Sequence, residues 1–300
     1  MGVVTVRVPA KVNLQLSVGA LRDDGYHDVV SVYQAVSLYD EVSVTPADGL
    51  SLSVEGEGIG SVPTDDTNLA WRAAELLADH VGCRPDAHLH LAKGIPVAGG
   101  MAGGSADAAA TLLALDAAWG LGLERATLTS LAAQLGSDVP FALVGHTAVG
   151  TGRGEQLTPA LARGSFEWVV ALADGGLSTP EVYGELDRLR GRSRVPEPEV
   201  SGPLMSALRS GDPHALGAAV RNDLQRAAVS LRPALAMTLE VGEEYSALAC
   251  MVSGSGPTCV FLARDEEHAL DLAVALTSSG ACRTVRRASG PVAGARVVAA

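Results

Sequence analysis

Two periods alternate along the chain. Residues 3–18 and 29–45 carry apolar side chains, mostly Val and Leu, at nearly every second position, which predicts two long strands. The polar tract between them, "GALRDDGYHDV", holds an Asp-Gly turn. "SLSVEG" (51–56) and "AHLHLAK" (87–93) alternate in the same way. Between these two, "TNLAWRAAELLADHVG" switches to helical spacing, with Thr67 as the expected cap and Gly82 as the stop. A glycine-rich loop then leads into a helix reaching about residue 119, and a second helix over 125–135 stops at Gly136. "VPFALVGHTAVGTGRGE" reads as strand, turn and strand, with "GTGRGE" as a hairpin turn, and 166–174 reads as a buried strand. Helices are expected near 179–190, 203–210, 212–228, 233–245 and 266–279. "ALACMVSGSGPTCVFLAR" reads as strand, glycine turn and strand, and strands near 281–287 and 293–299 close the chain. "RLRGRSRVPEPEVSG", rich in charge and proline, is the expected linker. No internal repeat is visible.

Composition narrows the class. With 300 residues and 47% hydrophobic content the chain can build one large domain or two moderate ones. A charged fraction of 19% and a mean hydropathy of +0.23 argue against disorder. The net charge of -12 disfavours a nucleic-acid partner but leaves room for a small phosphorylated ligand. No apolar run is long enough to span a membrane, and the N-terminal stretch lacks the charged-then-apolar layout of a leader, so a cytoplasmic protein is expected. Cys83, Cys250, Cys259 and Cys282 are scattered without a CxxC pair and read as buried thiols in a reducing compartment. Of 22 basic residues only Lys11 and Lys93 are lysines. A lysine is a compact point charge where arginine is a planar fork, so both positions attract interest.

The sharpest local feature is "PVAGGMAGGSADAAATLLAL" (96–115), where glycines pass directly into an alanine-rich helix. The first turn of a helix leaves backbone N–H groups unpaired at the positive end of its dipole. Glycines upstream let the chain fold closely around an anion. Pro96, Gly99, Gly100, Gly103, Gly104, Ser105 and Ala106 therefore read as a phosphate cradle. The loop is neither a Walker A nor a GxGxxG motif. Asp107 reads as a capping residue. Lys93, just upstream, reaches the bound phosphates or caps its strand. Asp138 stands on a turn held between Gly136 and Pro140, and reads equally as an N-cap or as a general base. Asn13 lies on the same strand face as Lys11, as a ligand contact or a strand-end polar residue. His88 and His90 have no third metal ligand and read as solvated positions on an edge strand. Tyr26, hemmed by charge and glycine, is a poor core residue. Its ring folds back over the neighbouring strand or offers a platform for a base.

These segments carry a resemblance. "PVAGGMAGGSADAAA" resembles the second motif of the GHMP kinases, the small-molecule kinases that include galactokinase, homoserine kinase and mevalonate kinase. "VPAKVNLQL" (8–16) resembles the family's N-terminal motif and "VSGSGPTCVF" (252–261) its C-terminal glycine motif, in the same order. "RDDGYHDV" and "LGSDVPFAL" resemble the branch whose acceptor is an alcohol bearing a cytidine diphosphate. The chain departs from the family at Gly100-Met101-Ala102, where Gly-Leu-Gly is usual, and at Ala106, where serine is frequent.

The resemblance implies an α+β, two-lobed fold. Its N-terminal lobe (1–160) would be ribosomal-protein-like with a left-handed βαβ crossover and bind ATP, and its C-terminal lobe (161–300) would be a ferredoxin-like αβ sandwich. It implies ATP and Mg²⁺ as cofactors, with Ser105 at the metal. It implies Asp138 as the base and Lys11 as its cationic partner. It also implies Asn13, Tyr26, His27, Thr179 and Tyr183 at the acceptor, the two tyrosines sandwiching the pyrimidine well away from Asp138. A non-catalytic nucleotide sensor on the same scaffold and a kinase of homoserine or mevalonate type are the other readings. The pairing of Lys11, Asp138 and "GSGPT" favours an enzyme, and the Tyr26–His27 pair opposes the second alternative. Monomer and homodimer both stay open.

Overall fold

The computed structural model describes residues 2–56, 58–97 and 100–300. Two long antiparallel strands, β1 (Val4–Leu21) and β2 (His27–Pro46), open the chain. Strand β3 (Ser51–Gly56), helix α1 (Leu69–Val81) and strand β4 (Ala87–Lys93) form a parallel βαβ unit, with β4 lying between β2 and β3. Helices α2 (Gly103–Trp119), α3 (Arg125–Leu135) and α4 (Val139–Val144) follow, then a hairpin of β5 (Thr147–Thr151) and β6 (Gln156–Pro159). The second half runs β7 (Phe166–Leu172), α5 (Thr179–Arg190), α6 (Gly202–Ser210), α7 (Pro213–Ala219), β8 (Arg221–Asn222), α8 (Gln225–Leu231) and α9 (Ala234–Glu244). It ends with β9 (Ala249–Val252), β10 (Cys259–Ala263), α10 (Glu266–Ser279), β11 (Thr284–Gly290) and β12 (Arg296–Ala299).

The architecture is α+β in two lobes. One sheet runs β12-β1-β2-β4-β3, with the β5–β6 hairpin on β2 and β8 on β1; the other, wholly antiparallel, runs β11-β7-β10-β9. A division after residue 160 separates the two sheets except for β8 and β12, which return to β1. Helix α2 is largely apolar because elements pack around most of it: β1 and β2 lie against it, as do α1, α3 and α4. Strand β1 is buried at every residue from Val8 to Gly19, although its sequence alternates. Its apolar positions from Val4 to Leu14 join the core under α2, while Leu16 and Val18 join the core of the second lobe. Its polar positions serve the second lobe and the site: Gln15 donates from Nε2 to the Glu199 carbonyl and accepts at Oε1 from the Ser201 amide, at 2.7 and 2.9 Å.

Several expectations change. Residues 139–144 form α4 rather than a strand; an apolar run this short does not declare its period, and Pro140 fits the first helical turn, where no N–H is needed. Asn68, not Thr67, caps α1, its side chain accepting from the Ala70 amide, while Thr67 bonds Asp65. The helix expected over 212–228 is broken by β8. The expected linker continues α5 to Arg190, and its remainder docks on β1 through the Glu199 and Ser201 bonds. His88 and His90 are not on an edge: they lie on β4 and hydrogen-bond Ser51 and Ser53 of β3. Cys83 is exposed, Cys250 and Cys282 are half-buried and Cys259 is buried; all are free thiols.

Candidate active site

A cavity of about 910 Å³ lies between the two lobes. Its walls include Lys11, Asn13, Tyr26, His27, Lys93, Pro96, Gly100, Gly103, Gly104, Ser105, Asp138, Thr179 and Tyr183, so positions spread over most of the sequence converge here. Gly99 falls outside the described residues. Ala106 is not among the residues that line the cavity: its methyl is in the core and its amide donates to the Ala102 carbonyl as the first bond of the helix.

One end of the cavity is built from backbone. The amides of Gly103, Gly104 and Ser105 open α2 and donate to no carbonyl of the described residues one turn back, which leaves them for an anion. Gly100 has φ +69, and a Cβ there would fall 2.6 Å from the Ser253 carbonyl oxygen, so the loop approaches the second lobe as only glycine permits. Ala102, where the family pattern has glycine, is itself left-handed at φ 61. The loop is tied on both sides: the Lys11 amide donates to the Met101 carbonyl at 3.3 Å, and Ser253 Oγ to the Gly100 carbonyl at 3.3 Å. Beyond the loop, Val62, Pro63, Leu69 and Val97 give this end an apolar floor that no sequence motif announced.

Lys93 reaches the cavity wall with its charge already matched. Its ammonium lies between the carboxylates of Asp40 and Asp107, the latter at 2.5 Å. Burial alone would lower Lys93, but the two carboxylates outweigh it and raise it, so the ammonium stays charged. Asp40 also accepts the Gly94 and Ile95 amides at 2.8 Å each, fixing the chain where it leaves β4 for the loop. Asp107 is therefore not a cap. It is a buried acid whose second oxygen, Oδ1, has no hydrogen-bond partner. Burial pushes its carboxyl well above the usual range, and Lys93 opposes that push.

The other end is built from side chains. Lys11 Nζ stands 3.5 Å from Asp138 Oδ2. Asp138 occupies the N-cap position of α4, but its side chain makes no capping hydrogen bond, which removes the cap reading. Asn13 accepts from Lys11 Nζ at 2.6 Å and donates to Ser31 Oγ at 2.8 Å, so its amide orients the lysine. Lys11 also sits 5.7 Å from the centre of the Tyr33 ring, a residue the sequence reading passed over. Tyr33 is buried, its phenol pushed well above 10 by burial and then by the Asp138 charge, so it keeps its proton. The glycines of "GTGRGE" make room for it: a Cβ on Gly150 would fall 2.6 Å from Tyr33 Cε2. The turn at Gly254 closes over the same group, where an added Cβ would meet Asn13 Oδ1 at 3.4 Å and Lys11 Nζ at 3.5 Å.

Farther along, Tyr26 is 54% exposed and carries the Arg153 guanidinium 5.2 Å above its ring. Arg153, hidden in a segment read only as a turn, lines the cavity and has no carboxylate partner among the described residues. Thr179 Oγ1 is 2.9 Å from Ser255 Oγ, which joins the start of α5 to the C-terminal glycine turn. Tyr183 packs its ring 5.2 Å from that of His27. Burial, and then the Asp138 carboxylate, push its phenol up to about 12.

Comparison with known proteins agrees with this geometry. The model of the GHMP kinases N terminal domain matches residues 68–146, and that of the GHMP kinases C terminal domain matches residues 204–282. The chain is 61% identical to the 4-diphosphocytidyl-2-C-methyl-D-erythritol kinase of Mycolicibacterium smegmatis, covering 100% of this chain and 94% of that protein. It is 59% identical to the protein of the same name from Streptomyces avermitilis, over 98% of this chain and 99% of that one. Among solved structures it resembles a 4-(cytidine 5'-diphospho)-2C-methyl-D-erythritol kinase with a TM-score of 0.75 and 32% identity, covering 95% of this chain and 98% of the other.

Proposed function

Because the chain belongs to the GHMP kinases, we propose that it transfers the γ-phosphoryl group of ATP to the 2-hydroxyl of 4-diphosphocytidyl-2-C-methyl-D-erythritol, a step in the non-mevalonate supply of isoprenoid precursors. One observation carries the reading: the chain matches a protein named for that activity at 61% identity over its whole length. Its site supports it, since an acid beside a lysine faces an anion-binding helix start across one cavity. The described residues contain no helix long and apolar enough to cross a membrane, which accords with work in the cytoplasm.

ATP lies with its phosphates on the amides that open α2 and its adenine on the apolar floor around Leu69 and Val97. The acceptor lies along Tyr26, His27, Thr179 and Tyr183, and its hydroxyl meets Asp138. Arg153 offers the charge that its diphosphate needs. As the acceptor oxygen bonds to the γ-phosphorus and the bond to the β-phosphate oxygen breaks, the hydroxyl proton passes to Asp138 Oδ2. Lys11, turned by Asn13, offsets the charge gathering on the acceptor and transferred oxygens.

The residues also fit Mg²⁺. The described residues hold no cluster of three acidic, histidine or cysteine ligands, but Mg²⁺ bound with a nucleotide needs only one or two protein donors beside the phosphates. Ser105 at the helix start and the unpartnered Asp107 Oδ1 would hold it. When bound, it neutralises phosphate charge. Coupled ADP release with the cytidyl acceptor, homoserine, mevalonate and galactose tests the assignment. Turnover with the cytidyl acceptor alone supports it, and turnover only with homoserine or mevalonate leaves the family and removes the substrate.

A further inference from the structure

His27 and Asp187 face each other across the cleft. His27 opens β2 in the first lobe, and Asp187 lies on α5 in the second, one turn beyond Tyr183. His27 Nε2 is 3.1 Å from Asp187 Oδ1, and the imidazole is buried while the carboxylate is partly open. A carboxylate offers lone pairs and no proton, so the hydrogen in this contact belongs to Nε2. The second nitrogen, Nδ1, makes no hydrogen bond to the described residues, and His27 lines the cavity. In a neutral imidazole with Nε2 protonated, Nδ1 is an acceptor.

An acceptor placed at a pyrimidine edge distinguishes the two common bases. The cytosine ring of a nucleotide has a single hydrogen-bond donor group, its 4-amino group. Uracil has a carbonyl oxygen at that position. An Nδ1 lone pair thus attracts cytosine and repels the 4-carbonyl of uracil. A flat ring stack lacks this power, because stacking tolerates any base. Tyr183 and Asp187 are four residues apart and therefore share one face of α5. The same helix face supplies a ring against His27 and the carboxylate that sets its proton.

We propose that Asp187 is a specificity-determining positioning residue: it holds the His27 proton on Nε2 and so presents Nδ1 as an acceptor to the 4-amino group of the acceptor's cytosine. The proposal rests on the cytidyl reading above. Two measurements test it on the full chain. Nitrogen-15 NMR of histidine-labelled protein reads the tautomer directly. Wild type shows His27 with Nε2 protonated, and Asp187→Ala loses that preference. Steady-state kinetics with the cytidyl acceptor and its uridine counterpart read the consequence. Asp187→Ala lowers the cytidine-to-uridine ratio of kcat/KM about tenfold, the worth of one hydrogen bond, with the loss falling on KM for the cytidyl acceptor. Asp187→Glu recovers part of it. An unchanged tautomer with an unchanged ratio overturns the proposal, as does a fall in kcat and ATP affinity together that leaves the ratio intact. A wild type that phosphorylates neither pyrimidine acceptor removes the cytidyl reading itself, an outcome separate from a wild type that discriminates without help from Asp187.

Discussion

The two ends of the cavity are made of different material. The phosphate end is a stretch of main chain: free amides at the start of α2, reached through a glycine loop, with the nearby Lys93 charge matched by Asp40 and Asp107. The acceptor end is an assembly of side chains from β1, β2, α4, the β5–β6 turn and α5, which meet only after both lobes are folded. One end takes its chemistry from local conformation, which accepts any polyphosphate of suitable shape. The other takes it from side-chain identity, where choice between acceptors resides.

The comparison breaks most plainly at Asp138. Asp138→Asn keeps the shape of the acceptor end and removes the base, so kcat falls by ~10²–10⁴-fold while both substrates still bind. Stopped-time assays of ADP formation read the first effect and calorimetric titration the second. A near wild-type kcat would reduce this end to positioning alone. Lys11→Arg also lowers kcat, because a planar fork does not fit between Asn13 and Asp138.

Tyr26→Ala sharpens the contrast. It weakens the cytidyl acceptor by the ~1–3 kcal/mol that stacking on an aromatic ring contributes, with KM for ATP unchanged, and Tyr26→Phe is mild. Varying both substrates in one kinetic series checks it; a shift in the ATP constant would exchange the two ends. At the other end, Gly103→Val puts branched carbons beside the open amides, where its Cβ would stand 3.3 Å from Ile95 Cγ2 and 3.5 Å from Lys93 Nζ. ATP affinity falls ~10-fold or more while acceptor affinity holds, as separate titrations would show. Equal losses would indicate a disturbed fold.

The smallest effect concerns stability. Ala102 holds a left-handed conformation at φ 61, which costs an L-residue roughly 1–2 kcal/mol. Ala102→Gly relieves most of that, offset by the extra freedom glycine has when unfolded, and gains about 1 kcal/mol in urea unfolding. An unchanged midpoint would mean that the loop relaxes around alanine.

This contrast also explains what could be read from the amino-acid sequence. The phosphate end was legible because its cause is local: glycines, a helix start and Ser105 follow one another within a few residues. The long strands were legible for the same reason. The polar alternation of β1 was visible, but not that Lys11 and Asn13 would face a second lobe. Arg153 escaped notice because a hairpin turn gives no hint of which ring lies across from it. Tyr33 did so because an aromatic residue in a strand reads as core. Asp187 sits in an ordinary charged helix, and only the approach of α5 to β2 gives it His27. Asp107 was misread as a cap because its partners, Asp40 and Lys93, come from two other strands. Such pairings depend on topology, which spacing along the chain does not encode.

Phosphorus NMR of a reaction containing the protein, ATP, Mg²⁺ and 4-diphosphocytidyl-2-C-methyl-D-erythritol tests the central claim most directly. The account predicts ADP, one new phosphomonoester resonance on the acceptor in equal amount, and an intact cytidine diphosphate linkage. ADP with free phosphate and no phosphomonoester, or no consumption of the acceptor while homoserine or mevalonate is phosphorylated, would contradict it.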